Sequence, residues 1–137
     1  SNPQVVNGRE YFDGGVSDSI PIQRAYQQGV RKAVVIFSKP EGYLMKPQGH
    51  KLLYSVALLK YPAVVYRLSH RHEFYNRQIT KVRKLRDEGK VLTFSPSAKI
   101  KVSTYKVDQD VMEALYANGR QDAEARVSEL KDFLGLK

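Results

Sequence analysis

The residue best suited to chemistry is Asp13, which follows the aromatic pair Tyr11-Phe12 and precedes Gly14 and Gly15. A carboxylate at the end of a strand, followed by two residues without side chains, has open space in front of it. A general base needs this access, because it must come within about 3 Å of the hydroxyl that it deprotonates. An Asp-Gly pair is also a common turn, in which Asp accepts local backbone hydrogen bonds. On spacing alone, the turn is the more frequent role.

The histidines and serines do not form a second reactive group. His70 and His72 lie two residues apart on a predicted helix, about 200° around its axis, so they cannot bind one metal ion together. Ser17 is not in a nucleophile motif, because Ser19 stands where G-x-S-x-G requires its second glycine. We therefore expect no metal, no cofactor and no serine nucleophile in this chain.

The charge of the chain favours anionic partners. It has 23 Lys and Arg residues against 14 Asp and Glu, a formal net charge of +9. Arg67, Arg77, Lys81 and Lys84 share one arc of a predicted helix, opposite its apolar face. This arc could contact an anionic membrane surface, although a solvated face is the more common role of such a pattern. Nucleic acid is not favoured, because no known binding signature accompanies the nine Tyr residues.

Composition indicates a compact α/β protein or a part of one. The chain has 137 residues, 42% of them hydrophobic, and no cysteine. It contains no apolar run of about 18 residues that could span a membrane, and no signal peptide pattern opens it. These features predict a cytoplasmic protein that contacts membranes only peripherally.

Hydrophobic periodicity and turn residues predict alternating strands and helices, which is typical of the α/β class. In chain order these are a hairpin around Asn7-Gly8, a helix over 21–28, a buried parallel strand over 33–38, helices over 51–60 and 62–88, a strand over 91–94, an edge strand over 99–103, a helix from Asp108 to Gly119, and a last helix that ends at Gly135. The strand over 33–38 should expose an unpaired edge if its neighbours are missing, which predicts self-association.

The motif around Asp13 resembles the second catalytic motif of the bacterial patatin-like phospholipase family. Asp13-Gly14-Gly15 is followed, as in that family, by polar residues, Ile20-Pro21, a helix, a glycine and a strand. The resemblance implies that residues 1–60 are the carboxyl-terminal strand-helix-strand part of a three-layer α/β/α catalytic domain. The segment over 71–97 is similar to an extension in one bacterial subgroup, which implies a mainly helical α/β extension over 61–137.

The resemblance also implies a mechanism. A serine would attack a phospholipid or another fatty-acyl ester, Asp13 would take its proton directly, and Gly14 and Gly15 would form the turn that presents Asp13. Because the nucleophile motif is absent here, we expect a missing amino-terminal half of the same protein to supply it, and the chain alone to be inactive. The alternative is a non-catalytic basic module that binds anionic lipid surfaces or nucleic acid.

Overall fold

The computed structural model describes residues 3–47, 49, 56, 58–98 and 108–136 and has a mixed α/β architecture, as predicted. Its elements are β1 (Gln4–Val6), β2 (Arg9–Tyr11), α1 (Gly14–Ser17), α2 (Ile22–Gln27), β3 (Ala33–Ile36), α3 (Pro62–Ser69), α4 (Arg71–Asp87), β4 (Val91–Phe94), α5 (Gln109–Glu124) and α6 (Val127–Leu134). The described residues form two compact units. The first contains those up to Gly29 and from Leu44 to Lys84, and the second contains the rest. The domain boundary predicted between residues 60 and 61 stays a prediction.

The first unit begins with the predicted hairpin. β1 and β2 pair antiparallel, with Gln4 opposite Tyr11. Asn7 and Gly8 have φ angles of 50° and 73°, the positive values that an Asn-Gly turn adopts between two twisted strands. The hairpin ends two residues before Asp13 and so fixes where that residue leaves the sheet.

One face of α4 forms most of the core of the first unit. Its buried side chains are Tyr75, Ile79 and Val82, at the three- and four-residue spacing of a helix face, and the buried Ile20 and Ile22 flank the start of α2. This confirms the apolar face that the sequence predicts for this segment. It also anchors α4 beside the chain that follows Asp13.

The single helix predicted over 62–88 is wrong, because the chain forms α3 and α4 with His70 between them. His70 has φ −104° and ψ 11° and caps the end of α3. Its carbonyl oxygen accepts from the backbone N–H groups of Glu73 and Phe74, which begins a new helix. His70 also places Nδ1 2.9 Å from the carbonyl oxygen of Tyr66. Such side-chain contacts with the preceding turn compete with helix continuation. Arg67 therefore lies on a different helix from the other three predicted contact residues.

The second unit contains a parallel pair of strands, with Ala33 of β3 opposite Val91 of β4. Val91 and Leu92 are buried, whereas β3 is only half-buried and Ile36 is 80% exposed. The parallel pairing predicted for this strand is confirmed, but its predicted burial is wrong, because β4 is its only strand neighbour among the described residues. The expected self-association of the chain stays a prediction.

The carboxyl-terminal helices begin and end at the predicted residues with one exception. Asp108 caps α5, accepting at Oδ1 from the backbone N–H groups of Asp110 and Val111, and Gly135 ends α6 with φ 69°. The predicted helix end at Gly119 is wrong, because α5 continues to Glu124. A glycine inside a helix costs only about 1 kcal/mol, which the surrounding turns can outweigh. The strand predicted over 99–103 and most of the helix predicted over 51–60 lie outside the described residues.

No helix in the described ranges combines the length and the apolar character needed to cross a membrane.

Candidate functional site

Asp13 lies between β2 and α1 and is the N-cap residue of α1. Its Oδ1 accepts a hydrogen bond of 2.6 Å from the backbone N–H of Gly15, the usual way in which Asp begins a helix. The residue is exposed, and within the described part of the chain Oδ2 accepts no hydrogen bond. One carboxylate oxygen is thus held in place while the other remains available.

The two glycines after Asp13 have different roles. Neither has the positive φ of a glycine turn; both lie in the helical turn of α1. A Cβ atom on Gly15 would lie 2.9 Å from Oδ1 of Asp13, whereas one on Gly14 would meet nothing within 4 Å. A side chain at position 15 would therefore displace the Asp13 carboxylate, whereas one at position 14 would not.

Asp13 lines a cavity of about 260 Å³, called here the Asp13 cavity. Its wall is formed by Phe12, Asp13, Gly15, Val16, Leu58, Val64, Leu68 and Arg71. It forms because α1 packs against α3, which brings the aliphatic side chains of α3 opposite the motif. The cavity thus combines one carboxylate, one guanidinium and several apolar side chains.

Arg71 is the basic residue of the Asp13 cavity and was not identified from the sequence. It is the first residue of α4, is half-buried, and places Nη2 3.7 Å from the position that a Gly15 Cβ atom would occupy. Its Nε is buried and has no hydrogen-bond partner among the described residues. Arg71 is the first residue of the segment over 71–97 described above as similar to a bacterial extension, and that resemblance was the sequence signal at this position.

The serines beside Asp13 are bound to the backbone. Ser17 donates to the carbonyl oxygen of Gly14 at 3.1 Å, and Ser19 donates to that of Gly15 at 2.8 Å. Over the described ranges, no group of three or more His, Asp or Glu side chains is placed to bind a metal ion. The chemistry of this site therefore centres on Asp13.

A second groove of about 380 Å³ adjoins the end of α1 and contains Arg24, Arg67 and Lys81; we call it the basic groove. These three side chains form no ion pair in the described part of the chain. The carboxylate of the groove, Asp18, instead accepts a short hydrogen bond from Gln78. The groove therefore carries an excess of positive charge.

The structure brings together some of the predicted anionic-surface residues. Arg67 and Lys81 line the basic groove, and Arg67 and Arg77 both lie against the ring of Phe74, at 4.6 and 4.8 Å from its centroid. Lys84 is exposed on α4 and lines neither the groove nor the Asp13 cavity. Periodicity predicted the shared surface but could not include Arg24, which lies on α2.

The second unit has a groove of about 600 Å³ beside the carboxyl end of β4. Its arginines are both paired with carboxylates. Arg86 bonds Glu41 at 2.8 Å, and Arg126 makes two hydrogen bonds with Glu129, at 2.6 and 2.8 Å. Because these charges already neutralise one another, the groove has less to offer an anion than the basic groove of the first unit.

The Arg126–Glu129 pair predicts a pH-dependent contribution to the stability of the second unit. The hydrogen bond from Arg126 lowers the pKa of Glu129 below its ordinary value of 4.5. A carboxyl group with a lowered pKa stabilises the fold above its unfolded pKa and loses this effect as the pH falls through the folded pKa. We therefore expect Glu129→Gln to destabilise the chain above pH 4.5, and the difference to shrink at lower pH.

Urea unfolding of the chain at a series of pH values tests this expectation. Glu113→Gln is the matched control, because the Glu113 carboxylate accepts from the neutral side chain of Gln109. A difference between wild type and Glu129→Gln that stays constant with pH would contradict the role assigned to this pair.

Comparison with known proteins places much of the chain in a family. The family described as a domain of unknown function, DUF6363, matches residues 61–135, which run from α3 to α6 and make up more than half of the chain. The uncharacterized protein YjjU of Escherichia coli (strain K12) is 41% identical over 46 residues, which are 34% of this chain and 13% of that protein. No solved structure matches the chain. Arg71 lies inside the matched domain and Asp13 lies before it. The chain belongs to the DUF6363 family.

Proposed function

We propose that the chain is the carboxyl-terminal part of a patatin-like serine acyl hydrolase in which Asp13 is the general base. The observation that supports this most is the geometry of the carboxylate. Oδ1 is fixed by the Gly15 N–H, Oδ2 is without a partner among the described residues, and Asp13 lines a cavity that also contains several apolar side chains. In this proposal the first 60 residues complete a three-layer α/β/α domain, and the DUF6363 domain follows it.

The apolar wall of the Asp13 cavity suits a fatty-acyl chain. Leu58, Val64 and Leu68 face the motif from one side, and Phe12 and Val16 lie next to Asp13 on the other. Each methylene group that such a wall removes from water contributes about 0.8 kcal/mol. A fatty-acyl ester therefore gains affinity from its chain while its carbonyl carbon lies near the carboxylate.

The reaction proceeds through an acyl-enzyme. The serine oxygen bonds to the ester carbonyl carbon while Asp13 takes the hydroxyl proton, and backbone amides stabilise the oxyanion. The bond to the alcohol then breaks, and the leaving oxygen takes the proton from Asp13. Water attacks the acyl-enzyme, Asp13 accepts a proton from that water, and the serine regains a proton as the fatty acid leaves. Asp13 thus acts alternately as base and acid.

The nucleophile comes from the part of the protein that precedes this chain. Ser17 and Ser19 donate to backbone carbonyl groups, and neither stands in a G-x-S-x-G motif. The relative in Escherichia coli is much longer than the segment it shares with this chain, since that segment is 13% of it. A longer protein of this kind has room for a catalytic serine and its oxyanion amides.

Ester hydrolysis by the full-length protein tests the proposal. We expect the full-length protein to hydrolyse fatty-acyl esters and to react with a fluorophosphonate, and the 137-residue chain to do neither. The phosphonate should attach to a serine that lies before this chain. A full-length protein that binds anionic vesicles but has no esterase activity and no phosphonate labelling would instead favour the non-catalytic basic module.

Peripheral contact with an anionic membrane is the second part of the proposal. The cations of the basic groove have no carboxylate neighbour within ion-pair distance among the described residues, and each cation near an anionic surface contributes about 1 kcal/mol. Removing two of them, in the variant Arg67→Gln/Lys81→Gln, should weaken binding to phosphatidylglycerol vesicles by about 30-fold. Sedimentation with vesicles measures this.

The matched control removes the same charge elsewhere. Arg120→Gln/Lys131→Gln changes two exposed cations of α5 and α6 in the second unit. Equal weakening by the two double variants would show that only the net charge matters, which would contradict a role for the basic groove.

A further inference from the structure

Arg71 is a polar group for which the described part of the protein provides no partner. Its Nε is buried without a hydrogen bond among the described residues, and its guanidinium forms no ion pair there. An unpartnered buried donor is costly, and native proteins rarely keep one without a use. The cost is larger for a charged group. The guanidinium is therefore placed for an anion that the described part of the protein lacks.

The neighbouring arginines show that this arrangement is particular to Arg71. Arg67 and Arg77 place their guanidinium groups against the ring of Phe74, at 4.6 and 4.8 Å from its centroid. This stacking gives a cation a favourable partner without an anion. Arg71 has neither a ring nor a carboxylate partner in the described ranges, and it points its Nη2 toward the Gly15 turn.

The surroundings of Arg71 restrict the kind of anion. The same cavity contains Asp13 and the aliphatic residues Val64 and Leu68, and a small hydrophilic anion would leave these aliphatic side chains uncovered. A ligand with an apolar chain and a phosphate group fits all three features. Arg is also the side chain best suited to bind phosphate through two parallel N–H···O bonds.

We propose that Arg71 binds the phosphate of a phospholipid whose acyl ester lies at Asp13, so that the DUF6363 domain supplies a specificity-determining residue to the site. This inference rests on the proposed function for the identity of the reacting ester. The DUF6363 domain would then select phosphate-bearing esters over neutral ones, a role separate from that of the catalytic motif.

A binding measurement tests the inference without requiring turnover. The probe is a short-chain diether phosphatidylglycerol, which has no ester, and the reference probe is the diether glycerol without the phosphate. In the full-length protein, Arg71→Met should raise the Kd for the phosphate probe relative to the reference by about 10- to 100-fold. Arg71→Lys should raise it less, because the charge remains while the two-bond geometry is lost. Arg83→Met, an exposed position of α4 outside the cavity, should leave the ratio unchanged.

Three results would overturn the inference. In the first, Arg71→Met leaves the ratio of the two Kd values as in wild type. In the second, it weakens the binding of both probes equally, which would give Arg71 only a structural role. In the third, inorganic phosphate binds as tightly as the diether lipid, which would make free phosphate the ligand. A failure of the hydrolase proposal gives a result that is distinguishable from these three. In that case the wild-type protein hydrolyses no ester, while the dependence of phosphate binding on Arg71 persists.

Discussion

Asp13→Asn in the full-length protein is expected to lower kcat/KM for fatty-acyl esters by about 100- to 10,000-fold, the range that a general base contributes. Asn is as good an N-cap residue as Asp, so the variant keeps the hydrogen bond to the Gly15 N–H that begins α1. It loses only the ability to accept a proton. The loss of activity therefore reports on the base and not on the local fold.

Asp18→Asn is the matched control for this prediction. Asp18 lies at the other end of α1, and its Oδ1 accepts from the side chain of Gln78, a bond that an Asn amide oxygen preserves. Steady-state hydrolysis of one ester by the two variants, with circular dichroism to check folding, decides the matter. Equal losses in the two variants, or full activity in Asp13→Asn, would remove Asp13 from the mechanism.

Gly15→Ala is expected to have the second largest effect, lowering kcat/KM in the full-length protein by up to about 100-fold. The added Cβ would lie 2.9 Å from Oδ1 of Asp13, so the carboxylate must shift. Misplacement of a catalytic group by about 1 Å costs a factor of this size. The same assay measures the effect, with Gly14→Ala beside it.

Gly14→Ala separates this effect from helix propensity. Both glycines lie in the turn of α1, where Ala stabilises a helix by up to about 1 kcal/mol relative to Gly. A Cβ on Gly14 meets nothing within 4 Å, so this variant should keep its activity, and its Tm should stay the same or rise. If Gly15→Ala were as active as Gly14→Ala, the position of the carboxylate would not be critical.

The elements that the sequence predicted correctly are those fixed by local signals. Asn7 and Gly8 specify the hairpin because few other residue pairs adopt two positive φ angles cheaply. Asp108 specifies the start of α5 because its side chain bonds the first free N–H groups of the helix. Val91 to Phe94 forms a strand because its residues are β-branched or large and apolar. Each signal acts within a few residues of itself.

The elements that were predicted wrongly are those whose bounds or burial the apolar pattern does not decide. The break at His70 interrupts an apolar period that continues from α3 into α4, so periodicity alone could not reveal it. Ile36 lies in a sequence typical of a fully buried strand but is 80% exposed. Burial of that strand requires neighbours that its own residues cannot specify.

The residues of the candidate site also divide into those that a local motif identifies and those that only the folded structure brings together. Asp13 was identified from its own motif, whereas Arg71 reaches the cavity only because α3 and α4 fold back onto α1. The hydrogen bonds of Gln78 to Asp18 and to the backbone N–H of Ile20 join segments that are 60 and 58 residues apart. Pairings over such distances depend on tertiary structure, so residue spacing in one sequence does not predict them. Tertiary structure likewise decides that Arg24 lines the basic groove and that Lys84 does not.

The most direct test of the account is a crystal structure of the full-length protein after reaction with a long-chain fluorophosphonate. We predict that a carboxylate oxygen of Asp13 lies within about 3 Å of the oxygen of the labelled serine. We also predict that the alkyl chain lies against Leu58 and Leu68 in the Asp13 cavity. A labelled serine remote from Asp13, with the cavity empty and closed off from it, would contradict the account.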